Sequence, residues 1–204
     1  MKISCAACVV ATIGLLGGSP AYAKGLRGFE VGDPCMAAYE AEIAQGSQPT
    51  RPLTEMAADP LASFRGSHDG HAALIGYSCV DGLLTSQLIT LKFESESNAE
   101  RVLDEQYEAL VALFGAPCTD WRKLSLWHRF KLWLMGIYYP DVLNGVDWDL
   151  GSNLQLHLYI DALRTERDSW NVTISVSSPP PILRTHPDGS TERVETPNIC
   201  LHGD

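Results

Sequence analysis

Residues 72–94 read AALIGYSCVDGLLTSQLITLKFE, and this stretch decides the fold class. Two apolar or β-branched runs, 72–80 and 83–94, flank Asp81-Gly82, a dipeptide suited to a two-residue hairpin turn in which both positions need positive φ. In the second run Ile89, Leu91 and Phe93 share one face while Thr90 and Lys92 share the other. The stretch is an antiparallel hairpin with one buried side.

Working outward, the spacing predicts a helix at about 98–114. Ser97 and Glu100 have capping-box spacing, Val102, Leu103, Tyr107, Leu110, Val111 and Phe114 form an apolar stripe, and Gly115 with Pro117 stops it. Glu100, Asp104 and Glu108 stack on the opposite face, which reads as a solvated stripe rather than a cation site. An earlier helix begins with Asp33 as cap and Pro34 in its first position, and Gly46 ends it. Its inward face is expected to use Cys35, Ala38, Tyr39 and Ile43. Residues 47–71, rich in Pro, Gly, Ser, Asp and His, read as a long surface loop.

Further on, Leu154, Leu156, Leu158 and Ile160 alternate with Gln155, His157 and Tyr159, and Trp170, Val172, Ile174 and Val176 alternate with Asn171, Thr173 and Ser175. These are two more half-buried strands, joined by the charged stretch 164–168. Pro179-Pro180-Pro181 ends the second, and His186-Pro187-Asp188-Gly189 makes a turn within an extended tail. The fold class that follows is α+β: an antiparallel sheet of about four strands with two or three helices packed on one face, stapled by disulfides. Residues 24–178 form the domain and 179–204 the tail.

Residues 1–23 have the form of a cleavable export signal. Lys2 gives the positive start, 3–16 are apolar and Ala21-Tyr22-Ala23 fits the cleavage rule. Fourteen apolar residues fall short of the roughly 20 a membrane-spanning helix needs. The segment holds one basic residue and no acidic one, so 14 Lys+Arg remain against 25 Asp+Glu, a net charge of −11. That balance argues against nucleic acid or an anionic membrane as a whole-surface partner, because both need a cationic field, and leaves room only for a local basic patch.

Cys35, Cys79, Cys118 and Cys200 remain after cleavage. In an oxidising periplasmic or secreted location an even number favours two disulfides, and the wide spacings match no zinc pattern. If successive elements run back along one another, Cys35, Cys79 and Cys118 gather at one end of the sheet. The pairing favoured is Cys35 with Cys79 and Cys118 with Cys200. The arrangement resembles small exported inhibitor-like and envelope-assembly domains that pack two helices on an antiparallel sheet, an architectural likeness that transfers no site.

Residues 121–139, WRKLSLWHRFKLWLMGIYY, hold Arg122, Lys123, Arg129 and Lys131 with no acidic residue. On a helix they place Leu126, Trp127, Phe130, Trp133, Leu134, Ile137 and Tyr138 on one broad face, with Arg122, Ser125, His128 and Arg129 on the other. The choice is between a core helix and an interaction surface anchored by Trp121, Trp127, Arg129, Lys131 and Trp133, facing a partner protein or lipid headgroups. His68-Asp69-Gly70-His71 offers two imidazoles but no complete metal-ligand set, so it reads as a polar loop. Asn171-Val172-Thr173 is a glycosylation sequon that matters only in a eukaryotic secretory pathway.

No G-x-S-x-G elbow, H-E-x-x-H, phosphate loop or dinucleotide fingerprint occurs, and no cofactor or metal is implied. The leading expectation is an exported, non-catalytic binding protein, an inhibitor or immunity-type partner of another protein in the cell envelope or outside the cell. The alternatives are peripheral membrane attachment through 121–139, and a hydrolase whose acidic residues the fold brings together.

Overall fold

The computed structural model describes residues 26–56, 59–125, 127, 130, 134, 145–151, 153–162, 169–178, 182–185 and 191–194. In chain order the elements are α1 (Cys35–Ala44), β1 (Gln48–Pro49), α2 (Leu53–Met56), β2 (Leu61–His68), β3 (His71–Val80), β4 (Leu83–Phe93) and α3 (Glu96–Phe114). They continue with β5 (Thr119–Asp120), β6 (Gly145–Gly151), β7 (Leu154–Ala162), β8 (Trp170–Ser177), β9 (Ile182–Thr185) and β10 (Thr191–Val194). Strands β1 to β8 make one antiparallel sheet in the order β1-β2-β3-β4-β8-β7-β6-β5, and β9 pairs with β10 separately.

That order repeats a single pattern. A helix followed by four strands (α1 with β1–β4) is matched by a second helix with four strands (α3 with β5–β8), and the halves join where β4 pairs antiparallel with β8. The strand order is therefore symmetric about the β4–β8 seam. Each half brings a sheet face that one helix covers, so joining them builds one continuous core.

The core lies on the helix-covered face. Cross-strand pairing sets Phe64, Ile75, Ile89, Ile174, Leu158 and Val146 in one row across six strands, all buried. One residue away, on the other face, the row reads Ser63, Gly76, Leu88, Ser175, His157 and Asp147. Because side chains alternate, a one-residue slip would exchange these rows, which is why the register is strongly specified. Above the first half, Tyr39 of α1 packs against Phe64 and Tyr77. Above the second, α3 buries Val102, Leu103 and Leu110 over β4, β7 and β8.

The sheet has eight strands rather than about four. Residues 47–71 are not a long loop: they contain β1, α2 and all of β2, and Asp69-Gly70 closes a second two-residue hairpin with φ of 47° and 81°. The expected Asp81-Gly82 turn is present with φ of 52° and 78°. Gly66 on β2 faces Ser47 so closely that a Cβ there would lie 2.3 Å from Ser47 Oγ, so glycine permits the α1–β1 connection to close over the strand.

Helix boundaries also shift. Asp33 does not cap α1, since its carboxylate accepts from Glu30 N. Pro34 takes the cap position, and the Cys35 amide donates instead to Gly82 O in the adjacent hairpin turn. Glu42, not Ile43, completes the buried face of α1. Helix α3 starts at Glu96, with Ser95 accepting from Asn98 N in the capping role expected of Ser97. Gly115, at φ 83°, ends it as expected.

Candidate interaction surface

Cys35 and Cys79 form a disulfide with Cα atoms 6.4 Å apart. It ties the first residue of α1 to the end of β3, and the Tyr39 hydroxyl lies 3.0 Å from Cys79 Sγ. A cleft of about 300 Å³ opens beside the bond between Met36, Asp59, Pro60 and Asp81. Burial, followed by the nearby charge of Asp59, holds the Tyr39 hydroxyl above its ordinary pKa, so it remains a neutral donor. Cys118 is also disulfide-bonded, and Cys200, the partner expected for it, lies outside the described residues. It does not join Cys35 and Cys79 at one place: it precedes β5, five strand positions from β3, roughly 24 Å at about 4.8 Å per strand.

The segment beginning at Trp121 is not a single helix from its first residue. Trp121–Lys123 form a 3-10 turn capped by the Asp120 carboxylate. Trp121 is an interior residue rather than a surface anchor, and its indole donates to Asp147 Oδ2 at 2.5 Å. Arg122 pairs with Asp120 and Asp104 and lies over the Tyr107 ring, while Lys123 pairs with Asp120. Burial alone would raise the Asp120 carboxyl, but hydrogen bonds from Arg122 and Lys123 outweigh it and hold the group below its usual range. These two basic residues thus clamp the sheet edge to α3. Trp127, Phe130 and Leu134 are helical and exposed, whereas Arg129, Lys131 and Trp133 lie outside the described residues.

The other sequence candidates have structural roles. His68 and His71 pair across the β2–β3 turn, where Asp69 accepts from Gln106 of α3 and His71 packs edge-on against Phe93. Among the described residues no group of His, Cys, Asp or Glu has the geometry to hold a metal ion. Asp104 serves Arg122, and Glu100 and Glu108 are exposed on α3. Asn171 of the sequon is buried within β8.

Two features escaped the sequence reading. Asp147 on β6 accepts from both Trp121 Nε1 and His157 of β7, whose Nδ1 is 2.6 Å from Asp147 Oδ1. This orients the imidazole and leaves Nε2 as its remaining polar atom. Ser175 sits opposite His157 on β8, but no hydrogen bond joins the two among the described residues, so a Ser-His-Asp relay is not assembled.

The second feature is an inversion of ordinary burial on the face that α1 and α3 leave uncovered. Over β6–β8 its polar side chains Asp147, Gln155, Asn171 and Thr173 are buried. Over β2–β4 its leucines are exposed: Leu61 by 59%, Leu74 by 43% and Leu88 by 36%. Arg65 is exposed directly opposite Leu74 and has no ion pair among the described residues. Ser63, Gly76, Ser78 and Ser86 surround the leucines with short side chains, so the patch is low and accessible. Val80 and Leu83, also exposed, flank the Asp81-Gly82 turn at one end of it. Exposed leucines on three neighbouring strands of one sheet face are more informative than an isolated one.

Comparison with protein-family models, with curated proteins and with solved structures returns no match. Among the described residues no helix is long and apolar enough to cross a membrane.

Proposed function

We propose that this is an exported protein-binding domain whose contact surface is the uncovered face of β2, β3 and β4. The observation that carries this reading is the outward projection of Leu61, Leu74 and Leu88 from three adjacent strands, with Arg65 beside them. Apolar residues around an exposed arginine have the composition of interface anchors, and a sheet fixed by a disulfide presents them with little ordering cost on association. The export-type leader and the disulfide chemistry support an oxidising location.

Affinity capture tests the reading. Oxidised protein lacking residues 1–23 is immobilised and exposed to envelope extract, beside a Leu74→Asp/Leu88→Asp variant. The expected result is a discrete protein retained by the first and lost from the second. Equal retention by both would overturn the assignment of this face.

A further inference from the structure

Both cysteines of the Cys35–Cys79 disulfide line the cleft of about 300 Å³, alongside Tyr39, Asp59 and Asp81. Cys79 is half-buried while Cys35 is only 4% exposed, so an incoming group meets Cys79 first. Each sulfur also has a group placed to stabilise it as a thiolate. Cys35 is the first residue of the ten-residue α1, where Pro34 offers no capping side chain and the first turn holds no acidic residue. The positive end of the helix therefore favours an anion on Cys35. One turn along the same helix, the Tyr39 hydroxyl lies 3.0 Å from Cys79 Sγ and keeps its proton to donate there. A bond that only stapled α1 to β3 would need neither an open cleft against it nor a donor for each sulfur.

We infer that the Cys35–Cys79 disulfide is a thiol–disulfide exchange site for a positively charged dithiol peptide or protein segment held in the cleft. A substrate thiolate attacks Cys79 Sγ, the Cys35–Cys79 bond breaks, and its electron pair leaves on Cys35 as a thiolate at the start of α1. The second substrate thiol loses its proton to solvent and attacks the substrate sulfur of the mixed disulfide. This expels Cys79 as a thiolate, which accepts from the Tyr39 hydroxyl. The substrate is oxidised to a disulfide, the protein pair is reduced to two thiols, and the two protons pass through solvent from one pair to the other. Exchange is faster when the leaving thiolate is stabilised, which is the contribution of the helix start and of Tyr39. Asp59 and Asp81 are the charged residues that line the cleft among the described residues, so they favour positive charge beside the substrate thiol.

Timed reaction of the oxidised protein, lacking residues 1–23, with two synthetic lysine-rich peptides tests the inference. One peptide holds a single cysteine and the other holds two. Reactions are stopped with acid, free thiols are alkylated, and each cysteine is located by peptide mass spectrometry. The single-cysteine peptide should add to Cys79 and free Cys35, about tenfold faster on the folded protein than in concentrated urea. A glutamate-rich counterpart should react more slowly, by a ratio that Asp81→Asn narrows. The two-cysteine peptide should free Cys35 and Cys79 before Cys118. Tyr39→Phe should leave the addition rate unchanged and lengthen the life of the mixed disulfide severalfold, a split that a loss of packing would not produce. Leu74→Asp/Leu88→Asp should alter none of these rates, which separates the result from the fate of the protein-binding reading. The inference is overturned if the pair reacts only once the protein unfolds, if the peptide adds to Cys35, or if Tyr39→Phe changes both steps alike.

Discussion

Arg27 and Glu42 form a forked ion pair inside the protein, with Arg27 Nε 2.5 Å from Glu42 Oε1 and Arg27 Nη2 3.0 Å from Oε2. Glu42 is completely buried, and Tyr77 and Ser47 also donate to its carboxylate. Arg27 reaches onward to Ser67 O and Gln45 Oε1, so one network ties the segment before α1, the helix and two strands together. Desolvation and hydrogen bonding to Glu42 keep the Tyr77 hydroxyl strongly raised and therefore protonated.

Removing the carboxylate strands the half-buried arginine and two hydroxyl donors. Glu42→Ala should cost about 3–5 kcal/mol, the usual penalty for breaking one side of a buried pair. Urea unfolding of the oxidised protein measures it. A loss below about 1 kcal/mol would show that the network is solvated, contrary to its burial.

The Cys35–Cys79 bond closes a chain separation of 44 residues. On the chain-entropy account, replacing both cysteines with alanine should lower stability by about 4 kcal/mol. The measurement is the unfolding free energy of the double variant, with the Cys118 disulfide intact. An unchanged value would show that the bond does not restrict the unfolded chain.

Asp120 sets an acid-dependent contribution at the opposite edge. Its folded carboxyl lies below the ordinary 3.8 because Arg122 and Lys123 outweigh the effect of burial. A depressed folded value means the stabilisation is present above the unfolded value and is lost as pH falls through the folded one. Asp120→Asn should therefore be less stable than the parent at pH 7, with the gap narrowing below about pH 4. Thermal unfolding from pH 7 to pH 2 checks this, and a gap that stays constant would contradict it.

Exposed leucines contribute little to the folded state that binding does not later use. Leu61→Ser, Leu74→Ser and Leu88→Ser should each change stability by only about 0.5 kcal/mol, whereas Phe64→Ala in the buried row should cost about 3–5 kcal/mol. Chemical unfolding separates the two classes. Losses of core size at the leucines would place them in the interior.

Much of the sheet was legible where apolar residues alternate strongly. The 72–94 hairpin, the strands at 154–160 and 170–176 and the 98–114 helix all appear, because each buries most of an apolar stripe. Strand β2 was missed because its inward positions are Ala62, Phe64 and Gly66, a weak signal between Pro60 and Gly70. Asp69-Gly70 nevertheless carried the same turn chemistry as Asp81-Gly82. Strand β6 did alternate, with Val146, Trp148 and Leu150 against Asp147 and Asp149, but it is short and bounded by glycines. Without β2 and β6 the paired halves could not be recognised, and the leucine patch could not be assembled from residues 61, 74 and 88. The Asp147–His157–Trp121 cluster was hidden for the same reason, since its members meet only through cross-strand register and an edge turn.

Site-specific photo-crosslinking tests the proposed contact face most directly. A photoreactive phenylalanine analogue is placed at Leu74, and in a second sample at Leu113 on exposed α3, and each oxidised protein is irradiated in envelope extract. The account predicts a discrete adduct with one protein from position 74 and none from position 113. No adduct from position 74, or the same adduct from both positions, would contradict it.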